Sequence, residues 1–127
     1  MTAVTLEPTV TAPDFGTDPL AYYHWHLSTH PEMYVAFRRQ ADLYRAPDPG
    51  RRFSADMICH ALRFQSGLSA AGDLYQVNNN VTPLYARLYR HERPGAAVAV
   101  RGSMLDALDP AEWAALLALV PKDPRAS

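Results

Sequence analysis

The sequence is poor in the residues that usually reveal a protein's chemistry. Its 127 residues contain a single cysteine, Cys59, which excludes an internal disulfide and a zinc site built from several cysteines. Lysine is almost absent, since eleven of the twelve basic residues are arginine. The six glycines are scattered, so the chain has no glycine-rich phosphate loop. These absences exclude several common enzyme and metalloprotein classes.

Long apolar runs are missing as well. No window approaches the roughly 18 apolar residues that a membrane span needs. The first sixteen residues have neither a basic start nor an apolar stretch, so we expect no signal peptide and no membrane attachment. Together with the lone cysteine, these features favour a reduced, cytoplasmic setting. The length itself predicts one domain with a substantial core.

The net charge of −1 conceals an uneven distribution along the chain. Residues 1–37 carry four acids and no lysine or arginine, whereas residues 38–101 carry ten arginines against five acids. Residues 102–127 are acidic again, with four acids against two basic residues. Arginine forms planar, bidentate hydrogen bonds with phosphates and carboxylates. The basic middle therefore indicates a surface for an anionic partner, although a GC-rich genome would also favour arginine codons.

Capping signals and apolar periodicity predict a mainly α-helical fold of four to five helices. The apolar residues recur at three- and four-residue steps, and most helices start at a cap followed by proline or an acidic residue. The predicted helices cover about residues 20–27, 30–44, 54–65, 83–92 and 110–120, with a shorter helical turn at 103–108. Residues 74–77 and 97–101 are predicted to pair as a minor two-stranded β element, an order of elements that allows a winged-helix-like arrangement.

Two details of these helices are specific enough to check. The second helix is predicted to begin with a capping box formed by Thr29 and Glu32. The third is predicted to bury a stripe on one side, with Phe64 or Gln65 at its rim. The members of that stripe are Met57, Ile58, Ala61 and Leu62.

We predict a single globular domain over residues 17–121. Residues 1–16 contain mostly threonine, proline, valine and alanine without periodicity, and they are predicted to be a flexible tail. Prolines at 121 and 124 are expected to end the ordered chain, leaving residues 122–127 as a disordered tail.

Five short motifs occur in one order in the middle of the chain: His30-Pro31, Arg51-Arg52-Phe53-Ser54, Leu62-Arg63-Phe64, Gln76-Val77-Asn78-Asn79-Asn80 and Tyr85-Ala86-Arg87. In these motifs the chain resembles a group of small uncharacterised proteins found in phages and bacterial genomes. The resemblance covers about residues 22–95. It departs from the usual pattern at Gln76, where a basic residue is common, and at His30, where asparagine is common. It implies one compact, mainly helical unit and no particular activity.

The stretch from residue 75 to residue 93 is the most informative for function. An asparagine turn leads into Thr82 and Pro83, which have the character of an N-cap and a first helical residue. Arginines then follow at three-residue steps, and arginine and asparagine contact phosphates and base edges in nucleic acids. We therefore predict a small non-enzymatic DNA-binding or regulatory protein with no cofactor. The predicted nucleic-acid-binding residues are Asn78, Asn79, Asn80, Arg87, Arg90, Arg93, Arg101, Arg51, Arg52 and Arg63.

Two observations argue against nucleic-acid binding and keep a protein partner open as the alternative. The gap over residues 66–81 is longer than the turn of a tight helix-turn-helix, and the pI of about 6.5 is low for a DNA-binding domain. The chain is also rich in tyrosine, tryptophan and arginine, which dominate protein-interface hot spots. The alternative is a protein–protein interaction module, such as a phage-like adaptor or an inhibitor of a host protein.

Catalytic and metal sites are not expected. His26 and His30 lie four residues apart and are the candidate metal ligands, but a predicted helix break at Thr29 separates them and no acidic ligand accompanies them. Cys59 and His60 are adjacent on a predicted helix and so point in different directions. We therefore predict neither a metal site nor a cysteine nucleophile.

Overall fold

The structure is a computed structural model that describes residues 12–66 and 80–123, apart from the side chains of residues 65 and 66. Within these ranges the chain forms five α-helices, one 3₁₀ turn and one two-stranded sheet. In chain order they are α1 (Pro19–Thr29), α2 (Pro31–Arg45), β1 (Phe53–Ser54), α3 (Ala55–Ser66), α4 (Thr82–Glu92), β2 (Val98–Ala99), the 3₁₀ turn (Met104–Ala107) and α5 (Pro110–Leu117). The predicted fold, mainly helical with a minor β element, is confirmed, and its winged-helix form stays a prediction.

Polar side chains start several of these helices as the sequence indicates. Asp18 accepts a hydrogen bond from the backbone N–H of Ala21 at 3.1 Å and so caps α1. Ser54 accepts one from the N–H of Met57 at 3.2 Å at the start of α3. Asp109 and the residue three positions later form a reciprocal capping box at α5. Each of these bonds pairs an N–H group that a helix would otherwise leave unpaired.

The boundary between α1 and α2 differs from the prediction. Helix α1 continues through Thr29, and His30 is both its C-cap and the N-cap of α2. The predicted capping box of Thr29 with Glu32 is therefore wrong, because Thr29 has helical backbone and lies before the cap. Helix α4 likewise begins one residue early, with Val81 as its N-cap in place of Thr82.

The sheet joins two segments that are distant in sequence. Phe53 pairs with Val98 and Ser54 pairs with Ala99 in parallel register. The strand predicted at residues 97–101 is thus present in part, as β2. The strand that pairs with it is β1, which directly precedes α3. The partner predicted at residues 74–77 lies outside the described residues.

The core is an aromatic layer between α2 and α4. The rings of Phe37 and Tyr85 have centroids 5.2 Å apart, and those of Tyr34 and Tyr85 lie 5.3 Å apart. These residues and Tyr89 are fully buried. Aromatic pairs at such distances add to the stabilisation that burial alone gives. Most of the tyrosines therefore form the interior of the domain.

Each predicted tail includes a residue that packs against the domain. The ring of Phe15 makes edge contacts with Tyr22 and Tyr23, at centroid distances of 5.4 and 5.6 Å, so it packs on α1. At the other end, Asp123 is only 7% exposed and is bound by arginines of the core. The remaining parts of the two predicted tails, residues 1–11 and 124–127, lie outside the described residues.

Candidate interaction sites

Arg87 on α4 belongs to the predicted nucleic-acid-binding set, but it lies inside the fold and is 5% exposed. Its Nε donates to Asp106 at 3.0 Å, and its Nη1 donates to the carbonyl oxygen of Pro83 at 3.0 Å. Its Nη2 donates to the carbonyl oxygen of Arg101 at 2.5 Å. The same guanidinium holds the pKa of the Asp106 carboxyl below its usual range. The prediction that Arg87 is exposed for phosphate contact is wrong, because its charge is matched and its donors are already bound.

Arg93 is also held inside the protein. Its Nε and Nη2 donate to the carboxylate of Asp42 at 3.1 and 2.8 Å, and its Nη1 donates to Asp123. The hydrogen bonds that the guanidinium donates to Asp123 and Asp42 raise its pKa well above the ordinary value. The acidic end of the chain thus neutralises part of the basic middle, so Arg93 does not present a free charge.

The sequence did not single out the network to which Arg93 belongs. Arg38 of α2 is buried and its Nη1 donates to Glu92 at 2.7 Å, while its Nε lies 3.9 Å from Asp123. The Tyr34 hydroxyl donates to Glu92 at 2.5 Å. The sequence did contain a signal for this network, because Arg38 shares the buried face of α2 with apolar residues. A charge on such a face needs a partner.

The asparagine turn contributes a backbone contact in the part that the structure describes. Asn80 is half-buried, and its carbonyl oxygen accepts a hydrogen bond from the Tyr23 hydroxyl at 2.9 Å. Burial raises the pKa of the Tyr23 hydroxyl to about 12, so it remains a donor. Asn78 and Asn79 lie outside the described residues.

The other predicted arginines differ in exposure and in their contacts. Arg51 lies over the ring of Tyr44, with its Cζ 4.6 Å from the ring centroid. It also donates a hydrogen bond to the backbone carbonyl oxygen of Tyr44. Arg63 lies beside His60 on α3, with Nη2 and Nδ1 3.4 Å apart. The exposed members of the predicted set are Arg52 before β1, Arg90 on α4 and Arg101 after β2. Because Arg87 and Arg93 are held inside the fold, the described arginines of the predicted set do not all belong to one outward surface.

His26, His30 and Cys59 are packed in the core or near it. His26 is buried with its Nε2 2.6 Å from the Tyr85 hydroxyl oxygen, and burial, with a smaller effect of His30, lowers its pKa to about 4. The ring centroids of His26 and His30 lie 6.1 Å apart. Within residues 12–66 and 80–123, no three histidine, cysteine or acidic side chains are grouped to hold a metal ion. Cys59 is fully buried, and burial raises the pKa of its thiol to about 12.

The outer face of α3 carries exposed apolar side chains. Phe64 is 70% exposed and Met57 is 42% exposed, whereas the sequence predicted Met57 in the buried stripe. The prediction for Met57 is wrong, because Ile58, Cys59 and Leu62 form the inner face and Met57 lies on the other side of the helix. Residues 57, 61 and 64 recur at four and three positions and share one face. We call Met57, Ala61 and Phe64 the outer face of α3.

A cleft separates the end of α4 from the 3₁₀ turn and α5. It has a volume of about 370 Å³, and Arg90, His91, Leu105, Asp106 and Trp113 are among the residues that line it. The rings of His91 and Trp113 have centroids 4.9 Å apart. We call this space the α4–α5 cleft.

Comparison with known proteins gives no relative from which a function could be inferred: no protein-family model, no curated protein and no solved structure matches the chain. The resemblance to small phage and bacterial proteins therefore stays a prediction. Across the described ranges, every helix is too short or too polar to cross a bilayer.

Proposed function

We propose that this protein is a small protein-binding module that inserts the outer face of α3 into an apolar groove of its partner. The observation that carries the proposal is the exposure of Phe64 and Met57 on one side of a helix whose other side is in the core. Single exposed apolar residues are common on protein surfaces, but a row at helical spacing is less so. Helices that bind in grooves use anchors at such spacings.

The composition around this face supports a protein partner. Ala61 lies between the two larger anchors, which leaves room for a groove wall to approach the helix backbone. Arg63 and His60 border the row and would supply the polar rim that surrounds an apolar interface centre. The exposed ring of Phe64 would supply the central anchor, because aromatic side chains bury a large area at low entropic cost.

Nucleic-acid binding is the competing hypothesis, and the burial of arginines weakens its support. Arg87 and Arg93 are each paired with carboxylates of the same chain. Three exposed arginines of the predicted set remain in the part of the chain that the structure describes, namely Arg52 before β1, Arg90 on α4 and Arg101 after β2. Strong nucleic-acid binding usually needs a clustered basic face.

The proposal is tested by quantitative capture from the native host with variants of equal stability. We expect Phe64→Ser and Met57→Ser to lose a captured protein that the parent retains. Leu43→Ser is the matched control, because Leu43 on α2 is 62% exposed and apolar but lies outside the outer face of α3. An equal loss of captured protein with Leu43→Ser would mean that non-specific hydrophobic binding explains the capture, and it would overturn the proposal.

The competing hypothesis is tested with the same proteins. Retention of DNA or RNA by the parent, with affinity that falls steeply as salt rises and that disappears in Arg90→Gln with Arg101→Gln, would replace protein binding by nucleic-acid binding. Under our proposal, the serine variants of α3 change capture and the two arginine variants leave it unchanged.

A further inference from the structure

The α4–α5 cleft has the features of a second binding site, on a part of the molecule that the outer face of α3 does not include. It lies between α4, the 3₁₀ turn and α5, and its volume of about 370 Å³ is at the small end of the roughly 300–1,000 Å³ that is typical of ligand pockets. A space of this size suits one ring with a short substituent.

Two arginines and one carboxylate line the cleft, so one positive charge is in excess. Arg87 and Asp106 face it as an ion pair, with Nε and Oδ1 3.0 Å apart, so their charges cancel. Arg90 is exposed, and no residue in the described ranges forms a hydrogen bond or ion pair with its guanidinium. An arginine guanidinium is always charged and offers a planar fork of donors. The cleft therefore carries a net charge of +1, which favours an anionic ligand.

Charge also distinguishes between the possible anions. A carboxylate matches both the single charge and the bidentate geometry of one guanidinium. A phosphate monoester carries up to two charges, whereas the cleft supplies one positive charge in excess. The balance of charges therefore favours a monoanion.

Part of the cleft wall is apolar. Trp113 and Leu105 line it, and the ring of His91 lies against that of Trp113. Indole rings stack well on other planar groups, so this wall suits an aromatic body next to the charged group.

We propose that the α4–α5 cleft binds aromatic monocarboxylates, with Arg90 pairing with the carboxylate and Trp113 contacting the ring. In this arrangement Arg87 is a positioning residue, because it holds the 3₁₀ turn against α4 through Asp106 and the carbonyl oxygen of Arg101. The site does not depend on the proposed role of α3.

The experiment is a titration of the full chain with phenylacetate, followed by the indole N–H resonance of Trp113 in two-dimensional NMR. The resonance is identified by its loss in Trp113→Phe. We expect a saturable shift with phenylacetate and no shift with the neutral phenylacetamide. Phenyl phosphate is expected to bind more weakly than phenylacetate. A tighter complex with phenyl phosphate would overturn the choice of a carboxylate.

Variants locate the charge that is responsible. Arg90→Gln is expected to weaken phenylacetate binding about tenfold or more, since it removes a charge-assisted pair. Arg39→Gln, which changes an exposed arginine on α2, is expected to leave the affinity unchanged. The proposal is overturned if the parent shows no saturable shift, or if Arg90→Gln and Arg39→Gln bind equally well. Because the outer face of α3 is intact in both variants, the α3 proposal can stand or fail separately.

Discussion

Arg93 and Asp42 form an ion pair across the contact between α4 and α2, with Nη2 and Oδ2 2.8 Å apart. Both side chains are largely buried, so the pair belongs to the interior. A residue that the sequence suggests as a nucleic-acid contact is thus a structural one. Its other carboxylate partner, Asp123, comes from the end of the chain, which makes the last described residue part of the domain.

Replacement of Asp123 by asparagine is expected to destabilise the protein. Asp123 is 7% exposed and lies against both Arg93 and Arg38, so its loss leaves two buried cations with less compensation. Removal of one partner from a buried pair is strongly destabilising, and because Arg93 keeps Asp42 we expect up to roughly 3 kcal/mol in the free energy of unfolding. Urea denaturation measures it.

Asp56→Asn is the control for this prediction. Asp56 is exposed in the first turn of α3, so its charge is expected to contribute less than about 1 kcal/mol. Equal effects of the two substitutions would show that the buried network does not depend on the carboxylate of Asp123.

Arg87 and Arg90 are expected to behave in opposite ways, although they lie three residues apart. Arg87→Met leaves the carbonyl oxygen of Arg101 without its side-chain donor and removes the cation beside Asp106, which we expect to cost about 1–3 kcal/mol. Arg90→Met changes an exposed side chain and is expected to alter stability by less than about 0.5 kcal/mol. Thermal and urea unfolding of both variants check the difference. A stable Arg87→Met variant would contradict the assignment of Arg87 to the interior.

The helices could be predicted from the sequence, whereas the locations of these arginines could not. Helix positions followed from local signals, such as the cap at Asp18 and the apolar steps in α2, because those signals act within one turn. The locations of Arg87 and Arg93 depend on partners 19 and 30 or more residues away. Three-residue spacing cannot show whether such a partner exists.

The same reason explains the two sites that the sequence did not reveal. The α4–α5 cleft arises because the 3₁₀ turn and α5 return to α4, which no local pattern predicts. On α3, the apolar residues occupy both faces, so periodicity alone could not decide whether Met57 or Ile58 is inside. The structure places Ile58 in the core and leaves Met57 exposed.

Cys59 is expected to be unreactive in the folded protein. Its thiol is fully buried and its pKa is raised to about 12, mainly by burial, so thiolate is scarce at neutral pH. Ellman's reagent should therefore react with Cys59 only after addition of denaturant, at a rate that follows unfolding. Rapid reaction in native buffer would mean that α3 opens readily from the core.

Phe64 and Phe53 provide a matched pair that separates binding from stability. Phe53→Ala removes a ring that is 4% exposed and is expected to cost about 3–5 kcal/mol. Phe64→Ala removes a ring that is 70% exposed and is expected to cost less than about 1 kcal/mol. Urea unfolding gives both values. A large cost at Phe64 would mean that its ring is covered in solution, and the proposed docking face on α3 would then lose its central anchor.

Stability is expected to fall in mild acid because of His26. Burial, with a smaller effect of His30, lowers its folded-state pKa from 6.5 to about 4, so the fold favours the neutral imidazole. A histidine with a lowered pKa contributes stability that is present above the unfolded-state pKa and is lost as the pH falls from about 6.5 towards about 4. Between pH 7 and pH 5 the expected loss in the free energy of unfolding is about 2 kcal/mol.

Two variants assign this loss to His26. His26→Gln keeps a polar partner for the Tyr85 hydroxyl but does not titrate, so its stability should change much less between pH 7 and pH 5 than that of the parent. His60→Gln alters an exposed imidazole on α3 and should reproduce the pH dependence of the parent. The measurement is urea unfolding at several pH values in this window, above the range in which most carboxylates titrate. If His26→Gln lost as much stability as the parent, the acid sensitivity would have to come from another group.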